Sequence, residues 1–212
     1  GASNTALGSL ALNLNTTGIS NTAVGKSALG ANTTANANTA VGYNSLTANT
    51  TGTENTAVGT EALNATITGS YNTAVGRSAL LLTTGDHNTA VGRIALRTNS
   101  SGANNTALGS RSMYSNSSGG NNTAVGVNAL DANTTASNNT AIGYRAGTTT
   151  TTGADNVAVG SDALFANTTG ASNVAIGHDA LGENTTASNN TAVGMSALVA
   201  NTTGTGNSAV GR

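Results

Sequence analysis

The side chains that could carry acid–base or nucleophilic chemistry are scarce in this chain of 212 residues. It has two histidines, eight Asp and Glu residues and no cysteine. His87 and His178 lie at different places in the sequence pattern, and neither has a recurring carboxylate or nucleophile beside it. Ser and Thr are abundant, but they recur throughout, so no single hydroxyl is marked as a nucleophile. We therefore predict that the chain is not an enzyme and needs no cofactor or metal.

The chain is instead dominated by one repeated phrase, Asn-Thr-Ala-Val-Gly-x-x-Ala-Leu. We number each copy from its Asn as position one. Copies follow one another every seventeen residues, except for one sixteen-residue copy over residues 72–87. Self-similarity at a short, fixed period is the sequence signature of a solenoid or array. The thirteen copies begin at Asn4, Asn21, Asn38, Asn55, Asn72, Asn88, Asn105, Asn122, Asn139, Asn156, Asn173, Asn190 and Asn207.

Composition limits the kind of protein that carries this array. Charged residues make up 7% of the chain and aromatic residues 2%, whereas ordinary domains carry about 25% charged residues. The net charge of −1 gives no reason to expect nucleic acid or an anionic membrane as a partner. No apolar run is long enough to span a bilayer. We interpret residues 1–212 as a single repeat array cut from a longer chain.

The repeat is incompatible with helices and with hairpins. Gly at positions five and fifteen and the Asn-Thr-Thr run would break a helix. No Asn-Gly turn occurs, and each period has only one strand-like phrase, so antiparallel hairpins are disfavoured. The sequence predicts an all-β protein, a parallel β-solenoid of about twelve coils. Equivalent positions then stack in ladders about 4.8 Å apart.

Apolar positions four and nine are expected to fill the interior of each coil. Position four is always branched and aliphatic, and position nine is almost always Leu. Burial of such side chains is the main source of folding free energy. The predicted core residues are Val24, Val41, Val58, Val75, Val91, Val125, Val159 and Val193, with Leu29, Leu63, Leu130, Leu164 and Leu198.

Position three is Ala in all thirteen copies. In a strand it points away from position four, so we expect it on the outside, where a polar residue would serve a monomer as well. We interpret the Ala rank as a surface that packs closely against a second copy of the chain, and we predict an oligomer. The predicted chain–chain contacts are Ala23, Ala40, Ala57, Ala74, Ala124, Ala158 and Ala192.

Polar positions complete the reading of the repeat. Every Lys, Arg, Asp, Glu and His falls at positions six, seven, ten, eleven, sixteen or seventeen, which should therefore face solvent. Asn at position one is expected to bond from coil to coil, as stacked Asn does in cross-β assemblies. Asn at position twelve begins Asn-x-Thr/Ser, so it is either a glycosylation acceptor or only turn chemistry. The candidate acceptors are Asn32, Asn49, Asn133, Asn167, Asn184 and Asn201.

The phrase resembles a known group of repeats. Asn156–Gly160 and Asn173–Gly177 are the copies most similar to the Asn-Ser-Val-Ala-Ile-Gly repeats in the heads of trimeric autotransporter adhesins. The array also resembles the Asn-Thr-Ala-Val-Gly arrays of tail-fibre proteins. The resemblance covers the whole chain and implies a left-handed β-roll with three chains side by side. The adhesin-head repeat is shorter and lacks the extra Asn-Thr-Thr-Gly turn.

Three classes of function follow. The first, which the resemblance implies, is a rigid shaft or adhesive head of a trimeric cell-surface or tail fibre, extracellular, with a host receptor or glycan as its partner. The second is a self-assembling extracellular filament. The third is an ice-binding solenoid, although such proteins need two regular Thr ranks on one flat side, and Thr at positions thirteen and fourteen should point to opposite sides.

Overall fold

The computed structural model describes residues 3–211, and each copy of the repeat contributes one short strand at positions two to four. Thr and Val favour extended backbone because their branched side chains fit a pleated surface. The strands are β1 (Thr5–Leu7), β2 (Thr22–Val24), β3 (Thr39–Val41), β4 (Thr56–Val58), β5 (Thr73–Val75), β6 (Thr89–Val91), β7 (Thr106–Leu108), β8 (Thr123–Val125), β9 (Thr140–Ile142), β10 (Val157–Val159), β11 (Val174–Ile176), β12 (Thr191–Val193) and β13 (Ser208–Val210).

These strands form one parallel sheet in chain order, and each strand from β2 to β12 pairs with the strand before it and the strand after it. Equivalent residues are in register, for example Ala23 with Ala40. The short copy keeps this register, because Thr73 still pairs with Thr89. The prediction of an all-β parallel solenoid with about twelve turns is confirmed.

The coils turn at positions that adopt left-handed backbone conformations. Positions seven, nine and seventeen have φ near +50 to +60°, as at Leu130 with φ 49°. Position five is Gly in every copy for a steric reason as well. A Cβ built on Gly92 would lie 2.6 Å from the carbonyl oxygen of Gly109 in the next coil, and Gly92 has φ 134°. Only Gly combines this φ with so close a stacking of backbones.

The interior of the solenoid is narrow and is filled by small side chains and one Leu per coil. Ala at positions three and eight and Leu at position nine form a single continuous core. The predicted core residues Leu29, Leu63, Leu130 and Leu164 are fully buried, and Leu198 packs against the same core while partly exposed. The prediction for position nine is therefore confirmed.

The predictions for positions three and four are wrong, because the strand faces the other way. The Ala residues expected at a chain–chain surface lie inside the coil, and the Val residues expected in the core point outward and are half-buried or exposed. The inward residues are Ala23, Ala40, Ala57, Ala74, Ala124, Ala158 and Ala192; the outward ones are Val24, Val41, Val58, Val75, Val91, Val125, Val159 and Val193.

The width of the coil explains this orientation. Gly147 replaces Leu at position nine, and a Cβ built on it would lie 3.9 Å from the Cβ of Ala141 at position three. Facing Cβ atoms in this coil thus come within ordinary van der Waals contact across the interior. A branched side chain at position three would overpack a space that Leu already fills from the opposite wall.

Two ladders of buried Asn side chains replace apolar contacts along the rest of the interior. At position one, Asn38 donates its backbone N–H to Asn21 Oδ1 (2.9 Å), and Asn21 Nδ2 donates to the carbonyl oxygen of Ala35 at position fifteen (2.8 Å). At position twelve, Asn32 Nδ2 donates to the same Ala35 oxygen (3.1 Å) and to Asn15 Oδ1 in the preceding coil (2.9 Å). The expected coil-to-coil bonding of Asn at position one is confirmed.

The ladder at position twelve is interrupted where Thr replaces Asn. Thr66 and Thr150 are buried, and their hydroxyl oxygens have no hydrogen-bond partner among the described residues. The Asn Oδ1 atoms in the preceding coils, at Asn49 and Asn133, are also without a donor. Each interruption therefore leaves two buried polar atoms unsatisfied, and such atoms are costly.

The third replacement, in the sixteen-residue copy, is better accommodated. Thr83 Oγ1 takes the place of the Asn oxygen and accepts a hydrogen bond from Asn99 Nδ2 in the next coil (3.1 Å). The backbone N–H of Gly85 donates to the same hydroxyl (3.0 Å). The missing residue is thus removed from the turn between positions twelve and fifteen, where the sheet register does not depend on it.

Candidate assembly face and surface sites

The outer face of the sheet carries the side chains of positions two and four. Position two is Thr in most copies, and position four supplies one branched aliphatic residue per coil, which we call the aliphatic stripe. Twelve steps of about 4.8 Å between neighbouring strands give the stripe a length of roughly 58 Å. Its members are Leu7, Val24, Val41, Val58, Val75, Val91, Leu108, Val125, Ile142, Val159, Ile176, Val193 and Val210.

The stripe stays accessible along its whole length. Val58 in the middle of the array is 36% exposed and Ile142 is 41% exposed, although each has neighbours in the coils on both sides. No charged residue occurs at positions two or four. Contiguous apolar surface of this kind is unusual on soluble monomers and typically marks an interaction surface.

The two flanks of this face differ in charge at the positions nearest the strand, while position seven, one residue beyond position six, carries both signs at Glu61, Arg111, Arg145, Asp162 and Asp179. Position six follows the strand, and among the described residues it carries Lys and Arg but no carboxylate. Positions sixteen and seventeen precede the strand and carry Asp and Glu but no Lys or Arg. The charged flanking residues are Lys26, Arg77 and Arg93 on one side, and Glu54, Asp86 and Asp155 on the other.

All described charged residues are at least partly exposed, as predicted from the repeat positions. One group has the side-chain types of a metal site, since ligand atoms of Asp162, His178 and Asp179 lie within 4.8 Å of one another. Two polar contacts already engage this group. Arg145 Nε donates to Asp162 Oδ1 (2.7 Å), and His178 Nδ1 lies 3.0 Å from Asp179 Oδ2. The hydrogen bond with Asp162 raises the pKa of Arg145, so a fixed cation sits where a metal ion would compete with it.

The other histidine, His87, stacks on the ring of Tyr71, which holds the equivalent position in the preceding coil. The ring centroids are 4.7 Å apart and the planes are nearly parallel. Both residues are exposed. The stacking is therefore a ladder contact between neighbouring coils.

The six candidate glycosylation acceptors are not surface residues in the folded array. Asn32, Asn49, Asn133, Asn167 and Asn184 are fully buried, and Asn201 in the last coils is half-buried. The Nδ2 atom to which a glycan would be attached is already a donor, as in Asn167 to the carbonyl oxygen of Gly170 (2.9 Å). The expectation that these residues are accessible acceptors is therefore wrong for the folded chain, because they form the inner ladder.

The described residues include no helix of the length and apolarity needed to cross a membrane. The geometry therefore presents one long apolar face with charged flanks and an interior tied together by hydrogen bonds. Comparison of this chain with protein-family models, curated proteins and solved structures finds no match, so functional assignment rests on this face.

Proposed function

We propose that the chain is a rigid structural shaft or adhesive head of a trimeric extracellular fibre, on a cell surface or a virion tail. Three copies with left-handed coils run side by side and bury their aliphatic stripes against one another. The observation that carries this proposal is the exposed, uncharged stripe that runs along the whole sheet. Burial of that apolar surface supplies stabilisation that the thin core of a single chain lacks.

The charged flanks favour chains that run in the same direction. When copies pack around an axis parallel to the fibre, the flank with Lys26 on one chain meets the flank with Glu54 on the next. An antiparallel packing would instead bring like-charged flanks together, which opposes association. Charge segregation thus supports a parallel, cyclic assembly.

The interior supports a role that depends on length and stiffness. Each added coil repeats the same backbone ladder and the same Asn hydrogen bonds, as between Asn122 Oδ1 and the backbone N–H of Asn139 (2.9 Å). In such arrays each coil contacts its neighbours only, so length increases without a change of cross-section. A shaft requires this property, whereas an enzyme does not.

Cysteine crosslinking tests the assembly, since the natural chain contains no cysteine. Val41 lies on the stripe near one end of the array. In parallel, in-register chains Val41→Cys faces its own equivalent and should form disulfide-linked dimers under mild oxidation. Thr51→Cys, at an exposed position in the same coil, is the matched control and should remain uncrosslinked.

Antiparallel packing would place Val41 opposite a coil near the other end of the array, so the single variant would stay uncrosslinked. A Val41→Cys protein that forms no more crosslinked product than Thr51→Cys contradicts the proposed assembly. The disulfide-linked product stops at the dimer, because each chain carries one thiol; open-ended particles of the unoxidised wild-type protein in light scattering would instead support the alternative, a self-assembling filament.

The outer face also bears on the ice-binding alternative. Thr at position two and the aliphatic residue at position four form two regular ranks on the outer face of the sheet. Such a surface serves ice binding only if it is free in the native protein. Thermal hysteresis of the wild-type protein would favour this second function, and ordinary freezing would exclude it.

A further inference from the structure

Arginines gather on one side of neighbouring coils around an open cavity of about 300 Å³. Arg111 lies beside the cavity and contacts one of its lining residues, Tyr114. Four of the seven Lys and Arg residues of the chain therefore lie in this small region. The cavity is lined by Glu61, Arg77, Ser78, Arg93, Ile94, Arg97 and Tyr114.

Most of this positive charge is not neutralised within the chain. Arg111 pairs with Asp131 at 2.9 Å, and Glu61 accepts a hydrogen bond from Ser78 Oγ at 3.0 Å. Among the described residues, Arg77, Arg93 and Arg97 form no ion pair. Three guanidinium groups without an ion-pair partner among the described residues therefore line the cavity.

The repeat makes this arrangement costly for folding. Arg77 and Arg93 occupy position six in neighbouring coils, where equivalent positions are about 4.8 Å apart. Like charges in directly opposed positions of adjacent strands destabilise a sheet. Position six accepts uncharged residues elsewhere, such as Thr60 and Ser110. Folding of one chain therefore does not require the cluster, so the counter-charge for Arg77 and Arg93 comes from outside the chain, either from a bound anion or from the acidic flank of a neighbouring copy.

Tyr114 contacts two of the arginines. Arg97 Nη1 donates to the Tyr114 hydroxyl at 3.3 Å, and the Arg111 guanidinium lies 4.6 Å from the ring centroid. Contacts of this kind hold guanidinium groups in place before a ligand arrives. Preorganised donors bind at a lower entropic cost.

We propose that this cavity binds an acidic saccharide, with the carboxylate or sulfate held by the arginines and the sugar hydroxyls held by Glu61 and Ser78. Arg77, Arg93 and Arg97 supply the charged donors, and Glu61 supplies an acceptor for hydroxyl groups. A nucleic acid fits less well, because its bases need an exposed aromatic ring on which to stack. Arg111 lies over the ring of Tyr114, with its guanidinium 4.6 Å from the ring centroid.

This assignment rests on the proposed adhesive function for its role, but it is tested separately from assembly. Calorimetric titration of the wild-type protein would use an oligogalacturonate, a heparin-derived oligosaccharide of the same length, a neutral galactose oligomer, inorganic sulfate and a short single-stranded DNA. We expect binding to one or both acidic saccharides. The neutral oligomer, sulfate and DNA should bind at least about tenfold more weakly.

Arg97→Gln is the informative variant, because position ten lies away from the sheet face. It should weaken saccharide binding about tenfold or more, the usual effect of losing a charge-assisted hydrogen bond. Arg93→Gln provides a second variant should the first fold poorly. Arg145→Gln, whose guanidinium pairs with Asp162 outside the cavity, is the control and should bind as the wild type does.

Three results would overturn the proposal. The first is saccharide binding unchanged in folded Arg97→Gln and Arg93→Gln proteins. The second is equal binding of DNA or sulfate, which indicates general anion attraction. The third is a loss of oligomer mass in Arg97→Gln, which assigns the arginines to contacts between copies. If the wild-type protein is an oligomer but binds no acidic saccharide, the saccharide proposal fails and the fibre proposal stands. If the protein binds the saccharide but is a monomer, the fibre proposal fails and the saccharide proposal stands.

Discussion

Repair of the inner Asn ladder should stabilise the protein. Thr150 is buried at position twelve, where most coils have Asn, and its hydroxyl has no partner. Asn133 Oδ1 in the preceding coil is also without a donor. In Thr150→Asn, the new amide is expected to reach Asn133 Oδ1 and the carbonyl oxygen of Gly153. Asn133 makes equivalent contacts, to Asn116 Oδ1 at 2.7 Å and to Ala136 O at 3.2 Å.

The magnitude follows from these two bonds. A protein hydrogen bond contributes about 1 kcal/mol net, and the replacement also removes two unsatisfied buried groups. Loss of the Thr methyl and restriction of the longer Asn side chain offset part of the gain. We therefore expect the free energy of unfolding to rise by about 1.5 kcal/mol. For a chain of this size, that raises the melting temperature by about 4 °C.

The assay combines thermal melting with hydrogen exchange, because arrays open coil by coil and a local gain is diluted in a global transition. Amides in the coils around Thr150 should exchange more slowly in the variant. Thr152→Asn, at an exposed position of the same turn, is the control and should change stability by less than about 0.5 kcal/mol.

The reverse substitution, Asn116→Thr, should cost about 1–3 kcal/mol, because it removes the donor to Asn99 Oδ1. The reasoning fails if Thr150→Asn folds but exchanges as fast as the wild type. It also fails if Asn116→Thr is neutral.

Three further predictions concern the orientation and stacking of the coils. Ala124→Val should destabilise the protein by about 1–3 kcal/mol in denaturant titration, because the interior has no room for a larger side chain; unchanged stability would argue against a narrow core. Leu130→Ala should cost about 2–5 kcal/mol, and a cost near zero would show that position nine is not buried. Gly92→Ala should cost more than about 1 kcal/mol, since its Cβ would meet the carbonyl of Gly109; a stable variant would show that the coils are spaced more widely.

Much of the fold could be predicted from the sequence because a period constrains geometry strongly. Fixed spacing, Gly at position five and the absence of hairpin turns lead to a parallel solenoid, and charge placement identifies the solvent-facing positions. The alternation of positions three and four also follows from strand geometry. Strand geometry does not show which of the two positions faces inward, because it establishes only that their side chains point to opposite faces of the sheet.

The predicted orientation is wrong because it places the larger apolar residue, at position four, in the interior. A signal for the correct choice was present in the sequence. Position three is Ala in every copy, whereas position four varies among Val, Ile and Leu, as at Val125, Ile142 and Leu108. A site with no spare volume admits a single small residue, while an outer site admits several branched residues. The Asn of each Asn-x-Thr motif also lies inside the coil, where it forms hydrogen bonds along the inner ladder.

The arginine cavity could not be predicted from the repeat. Arg77, Arg93, Arg97 and Arg111 occupy three different repeat positions, which are brought together only when neighbouring coils stack. Repeat numbering groups equivalent positions and therefore hides contacts between different positions of successive copies. Residues that differ from the repeat consensus form the arginine cavity, whereas the consensus residues form the stacked coils that determine the length of the array.

The native molar mass tests the central proposal, side-by-side assembly through the aliphatic stripe, most directly. Light scattering on the wild-type protein should give three times the chain mass of 20.4 kDa, unchanged on dilution into the micromolar range. Val125→Asp, which places a charge on the stripe without touching the narrow interior, should lower this mass. A wild-type protein that is folded and scatters as a single 20.4 kDa chain would contradict the account.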